Sequence, residues 1–211
     1  MSQNSKNLFQ FKISLNHSKP LIWRRIQVPA SYTFWELSCV IQDAMGWGGG
    51  HLHGFMFSDK KNNWQMINIM VPSSDDEFRD RIIDERTAKI ADYFSKISKQ
   101  CKYEYDFGDG WVHTVLLEKV SPVVVGQKYP KCLTGKQACP PDDCGGIGGY
   151  ERLIDILKRP KHPEHKETME WLGLDFPDDL DPTQFNPDEV IFSDPKESLR
   201  EFENYMKPFE K

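Results

Sequence analysis

Tyr103-Glu104-Tyr105-Asp106-Phe107-Gly108-Asp109-Gly110-Trp111-Val112-His113 is the stretch on which the fold turns. From 101 to 107, Tyr103, Tyr105 and Phe107 alternate with Lys102, Glu104 and Asp106, a period of two that puts one set on each face of a strand. Gly108-Asp109-Gly110 breaks the alternation, and Trp111 to Lys119 again carries aromatic and β-branched residues. The spacing predicts an antiparallel hairpin with a Gly-Asp-Gly tip. Two registers fit. A three-residue loop at 108–110 sets Phe107 against Trp111 and Tyr105 against His113, an aromatic face with His113 inside it. A two-residue turn at Asp109-Gly110 sets Asp106 across from His113 as a carboxylate–imidazole pair. The first keeps more apolar residues on one face, which ordinarily decides registration.

On the N-terminal side, Phe9, Phe11, Ile13 and Leu15 alternate with polar residues, and Ile22, Arg24, Ile26 and Val28 do the same up to Pro29, so two strands pair across the turn at 16–20. Thr33 with Glu36 three residues on forms a capping box for a helix over 33–45, stopped by Gly46. Cys39 belongs with the buried residues of that helix. A strand begins at His53, and an arm over 64–70 ends at Pro72. Residues 73–86 carry charge of both signs and are expected as a solvated excursion, followed by a short helix over 87–94. Beyond the hairpin, Val123-Val124-Val125 suggests a strand, 129–149 an irregular segment, and 150–158, 163–172 and 195–208 helices, the last capped by Asp194 with Pro195 in the first turn. Its stripe of Leu199, Phe202, Tyr205 and Met206 suits either core or a partner. Residues 174–192 are acidic and proline-punctuated, an extended surface segment. The expected fold is α+β: a curved antiparallel sheet built from hairpins, helices packed on one face, and residues 1–211 forming one domain.

A chain of 211 residues with 38% hydrophobic residues can bury a sizeable core. A net charge of −5 excludes non-specific phosphate-backbone binding as a main activity, since that needs a basic face and only Lys19, Arg24 and Arg25 cluster. No apolar run approaches membrane-spanning length and the first residues lack a signal-peptide core, so a cytoplasmic location is expected. Five cysteines, an odd number, argue against a disulfide framework.

The chemistry-bearing residues gather in three stretches. The hairpin offers Asp106, Asp109 and His113 as candidate catalytic groups, with Glu104 or Asp142 as general bases. His51 and His53, two apart after the glycine run 48–50, point to one face of an extended strand and could share a metal or a phosphate. Together with Trp111, Gly146 and Gly148 they are the candidate ligand-binding residues. Cys132, Cys139 and Cys144 could hold zinc, closed by His113, His51 or His53, although their spacing is not that of paired Cys-x2-Cys knuckles. Packing beneath a loop held by Pro140-Pro141 accounts for them equally. Gly145 to Gly149 before a helix could seat an anion, without the Lys-Ser/Thr pair of a phosphate loop. Cys144 at that helix start is also a candidate nucleophile.

The hairpin run, taken with Pro20-Leu21-Ile22-Trp23-Arg24-Arg25, with Met45-Gly46-Trp47 followed by His51-Leu52-His53, and with Cys139-Pro140-Pro141-Asp142-Asp143-Cys144-Gly145-Gly146, resembles the plasmid pRiA4b ORF-three-like family. The resemblance implies a setting on plasmids and transposons and carries no activity with it. From the residues, the expected function is a non-enzymatic binding or accessory module, for a protein partner or small ligand. A metal-dependent hydrolase or nuclease using Asp106, Asp109 and His113 with His51 and His53 is the alternative, and a structural zinc in the cysteine loop a third.

Overall fold

The computed structural model describes residues 6–59, 65–72 and 82–207. The hairpin forms as β6 (Gln100–Tyr105) and β7 (Trp111–Pro122), antiparallel, with Tyr103 opposite His113 and Tyr105 opposite Trp111. Neither expected register is adopted, because the connection takes all of Asp106–Gly110. Asp106 sits at φ 53°, its carbonyl accepts from the Gly110 amide at 2.7 Å, and its Oδ1 accepts from the Gly108 amide at 2.9 Å. The aspartate side chain therefore builds the turn from inside. Relative to the three-residue loop the pairing slips by two, an even number, so Tyr103, Tyr105, Trp111 and His113 still share the inward face. Phe107 is the casualty, left 47% exposed.

β1 (Asn7–Leu15), β2 (Trp23–Pro29), β3 (His53–Asp59), β4 (Gln65–Met70), β5 (Ile82–Asp84) and β8 (Lys131–Lys136) complete an eight-stranded sheet in the order β5-β4-β3-β6-β7-β1-β2-β8. Its neighbours are antiparallel except β4 and β5, which run parallel, so the sheet is mixed rather than wholly antiparallel. Two strands depart from expectation. β8 occupies part of the segment expected to be irregular, while Val123 to Val125 lie in an exposed connection. β5 and the turn after it occupy residues 82–86 of the charged stretch, and residues 73–81 lie outside the described residues.

The helices are α1 (Phe34–Met45), α2 (Ile90–Tyr93), α3 (Gly146–Leu157), α4 (His165–Leu172) and α5 (Pro195–Met206). α1 starts on the expected capping box: Thr33 Oγ1 accepts from the Glu36 amide at 3.1 Å and Glu36 Oε2 from the Thr33 amide at 2.6 Å. It ends at Gly46, φ 108°. Ten of its residues are buried, and Phe34 meets Phe55 and Phe57 of β3 at ring separations of 4.9 and 5.8 Å. Phe11, Phe94 and Tyr93 join the same cluster. The five phenylalanine rings are fully withdrawn from water and contribute about 1.5–3 kcal/mol each, while Tyr93 is only partly buried.

An inward position of β2 carries a charge. Arg24, 1% exposed and opposite Ile13 on β1, donates from Nε to the Ala44 carbonyl at 2.7 Å and from Nη1 to the carbonyls of Trp23 and Lys136 at 3.0 and 3.1 Å. The Phe185 ring covers its guanidinium at 3.7 Å. Arg24 thus ties β2 to the end of α1, to β8, and to the 174–192 segment. That segment carries short 3-10 turns at Pro177–Asp179 and Pro187–Glu189.

Candidate functional site

Three loops converge where β3 starts and β6 ends. His53 lies opposite Tyr105, and the Asp106 amide donates to the Leu52 carbonyl at 2.9 Å, which brings the glycine run beside the hairpin tip. The loop before α3 is drawn in by three bonds. Trp47 Nε1 donates to the Pro140 carbonyl at 3.0 Å, the Gly48 amide to Asp142 at 3.4 Å, and the Gly145 amide to Asp109 Oδ2 at 3.0 Å. Gly146, at φ 67°, lies so close to the Asp109 carbonyl that any Cβ would collide with it. Trp47 is the pivot: it stacks on Tyr105 at 4.8 Å, leans on Trp111 at 5.7 Å and meets His113 edge-on at 5.3 Å.

At the convergence His51 Nδ1 lies 3.6 Å from Asp106 Oδ2, and His51 Nε2 lies 3.5 Å from Asp143 Oδ1. Ligand atoms of these three residues fall within 4.8 Å of one another, the one such group of His, Cys, Asp or Glu among the described residues. Both aspartates hold positive φ, 53° and 57°, which aspartate tolerates better than most side chains. One imidazole and two carboxylates suit a divalent cation that accepts mixed nitrogen and oxygen ligands, and three protein ligands leave coordination positions open. Beside them, burial pushes the Asp142 carboxyl up, against the Gly48 amide that pulls it down. The Tyr105 hydroxyl engages the Asp142 carboxylate, which pulls that carboxyl down less than burial pushes it up. Burial, then the nearby Asp142 charge, pushes the Tyr105 hydroxyl well up.

His51 also lines a cleft of about 390 Å³ between α1, the glycine run and α5, walled by Trp35, Trp47, Phe202 and Tyr205. Behind it His53 Nε2 lies 3.0 Å from Glu85 Oε1, with both side chains buried, and His53 Nδ1 is 3.3 Å from the His51 carbonyl. Burial opposes charging this imidazole, but the Glu85 charge and hydrogen bond outweigh it and raise its pKa.

A family profile described as plasmid pRiA4b ORF-3-like protein matches residues 7–189. The chain belongs to the plasmid pRiA4b ORF-3-like family. It is 36% identical over 168 residues to the uncharacterized protein y4hQ of Sinorhizobium fredii, covering 79% of this chain and 81% of that one. A crystal structure of MM3350 from Methanosarcina mazei Go1, a protein of unknown function, superposes with a TM-score of 0.78 at 40% identity, covering 89% of this chain and 99% of the other. None of these relatives brings an assigned activity.

In this family member the expected site residues separate into two groups. His51 and Asp106 meet, with Asp143 as the third partner. His113 lies inward and fully buried, and burial holds its pKa down at about 4 against the backbone of Tyr103 and Trp111, whose hydrogen bonds favour the charged ring. It is a neutral core ring. Asp109 is spent on the Gly145 amide. His53 faces Glu85 rather than His51. Glu104 lies opposite Val112, on the face away from the inward-pointing Tyr103 and Tyr105. Trp111 is buried against Trp47, and Gly146 and Gly148 lie in the first turn of α3, which begins at the glycine run. Cys132, Cys139 and Cys144 stay outside the gathered group, and burial pushes the Cys144 thiol up to about 12, with Asp109 adding to it, unfavourable for a nucleophile. All five cysteines are free. Asp143 reads in the sequence as a turn residue. Its approach to His51 follows from the docking of the loop before α3, a tertiary fact. Glu85 hides within a charged run, and the Ile82-Ile83 pair before it is the sole local signal of a strand.

Proposed function

We propose that this chain is a ligand-binding module that works through a divalent cation held by His51, Asp106 and Asp143. The observation that carries this is the meeting of those three side chains, drawn from loops 37 and 55 residues apart (143 − 106 and 106 − 51), beside an aromatic cleft that shares His51. Open coordination positions on such a cation would take a ligand oxygen or nitrogen. The single eight-stranded sheet supports treating residues 1–211 as one domain. The plasmid in the family description supports a mobile-element setting. Among the described residues no helix is long and apolar enough to cross a membrane.

Manganese is the probe of choice, because it prefers carboxylate and imidazole over the thiols elsewhere in the chain. Titration calorimetry should show one Mn2+ per chain, weakened about tenfold or more by His51→Ala and by Asp143→Asn, and unchanged by Cys139→Ser. Asp143 is largely exposed and its variant should fold normally. Absence of stoichiometric binding, or equal binding by the variants, would refute the assignment.

A second reading, metal-dependent hydrolysis, is favoured by Asp142, whose raised pKa beside the cluster suits a general base for a metal-activated water. It predicts Mn2+-dependent cleavage of bis(p-nitrophenyl) phosphate that Asp142→Asn abolishes. The binding reading predicts none.

A further inference from the structure

The cleft beside the cluster has a chemical character of its own. Its charged lining consists of the carboxylates of Asp43 and Glu201 and the imidazoles of His51 and His53, and no Lys or Arg lines it among the described residues. The His53 charge is answered by Glu85 directly behind it, so the cleft keeps a negative surplus. Asp43 Oδ2 is fixed by the Ser193 amide and hydroxyl, both at 3.0 Å, which uses two of a carboxylate's roughly four acceptor sites. Burial pushes the Asp43 carboxyl up despite those bonds, the environment of an anion short of a positive neighbour. On the same helix, Trp35 is locked by Nε1 donating to the Pro195 carbonyl at 2.9 Å and meets Phe202 at 5.2 Å, so the aromatic wall is prearranged. Aromatic faces and carboxylates together select positive groups, through the ring quadrupole and through charge.

We propose that this cleft binds small organic cations, with a primary ammonium or guanidinium group seated against the aromatic wall and paired with Asp43 and Glu201. The proposal rests on the binding-module reading but not on the metal: the cation-selective groups belong to α1 and α5, and His51 is the one residue the two sites share. The cavity of about 390 Å³ falls in the range of small-ligand sites.

Benzylamine, benzyl alcohol and benzoate share one ring and differ in charge. Saturation-transfer NMR on the full chain in chelator should give a saturable benzylamine signal, affinity for the alcohol lower by about tenfold, and none for benzoate, with tenfold corresponding to about 1.4 kcal/mol. Glu201→Gln, at the surface of α5, should cost a few-fold on its own, and the pair Asp43→Asn with Glu201→Gln should erase the preference over the alcohol. Equal binding of amine and alcohol, preference for benzoate, no saturable signal, or an undiminished preference in the double variant would each overturn the proposal. Because the measurement runs in chelator, its failure is separate from a failure of Mn2+ binding.

Discussion

Replacing His113 with phenylalanine should remove a defined share of the protein's sensitivity to acid. The native imidazole is fully enclosed between Tyr103, Trp47 and the neighbouring strands, and burial keeps it neutral down to about pH 4. In the unfolded chain the same ring takes up a proton near pH 6.5. Its contribution to stability is therefore complete above about pH 6.5 and is lost progressively as pH falls toward 4, because acid rewards the unfolded state with a proton the folded state refuses. Linkage over that window gives a loss of about 2 kcal/mol by pH 5 and about 3 kcal/mol by pH 4. For a chain of this size the pH 5 loss corresponds to roughly 4–8 °C in Tm. Melting curves of wild type and His113→Phe at pH 7, 6, 5 and 4.5 supply the test. The readout is the difference in slope with pH, so any constant cost of fitting a phenyl ring cancels, as do the other titrating groups. Parallel curves across the window, or a steeper fall in the variant, would refute a neutral buried imidazole.

Gly146→Ala should destabilise by about 1–3 kcal/mol, since its Cβ meets the Asp109 carbonyl, and a shifted urea midpoint with unchanged slope would report it. Glu85→Gln strips the buried His53 of its counter-charge and should cost about 3–5 kcal/mol; the double variant with His53→Gln should recover part of the loss in a thermal-melt cycle. Arg24→Met unpairs the carbonyls of Ala44, Trp23 and Lys136 and should cost about 2–4 kcal/mol, with limited proteolysis moving first into the 174–192 segment that Phe185 anchors; uniform digestion would contradict the tie.

The hairpin was legible in parity but not in length. Alternating aromatics dictate which side chains face inward, and Tyr103, Tyr105, Trp111 and His113 obey, because moving one of them outward would strand a large apolar surface. Loop length answers to a different force, the Asp106 side chain closing the turn on the Gly108 amide, and Gly-Asp-Gly alone does not announce that bond. α1 was readable end to end because both its caps are local chemistry. α3 began four residues early because glycines at its start serve close approach to the hairpin tip, which propensity penalises and tertiary contact requires. In the site, residue types showed at His51 and Asp106, yet their third partner depends on where the loop before α3 docks, and no spacing rule carries that.

The placement of β1 sets the order in which the sheet can be assembled. It is covered on one edge by β2 soon after both are made, whereas its other edge waits for β7, with Ser14 finding Thr114 a hundred residues later (114 − 14). Until then an apolar strand bearing Phe9, Phe11 and Ile13 keeps a free row of amides and carbonyls, a template any stray β-segment could copy. A sheet whose halves are sewn together at β1 folds at the pace of long-range closure, and the ribosome must deliver the hairpin before that strand is covered on both edges.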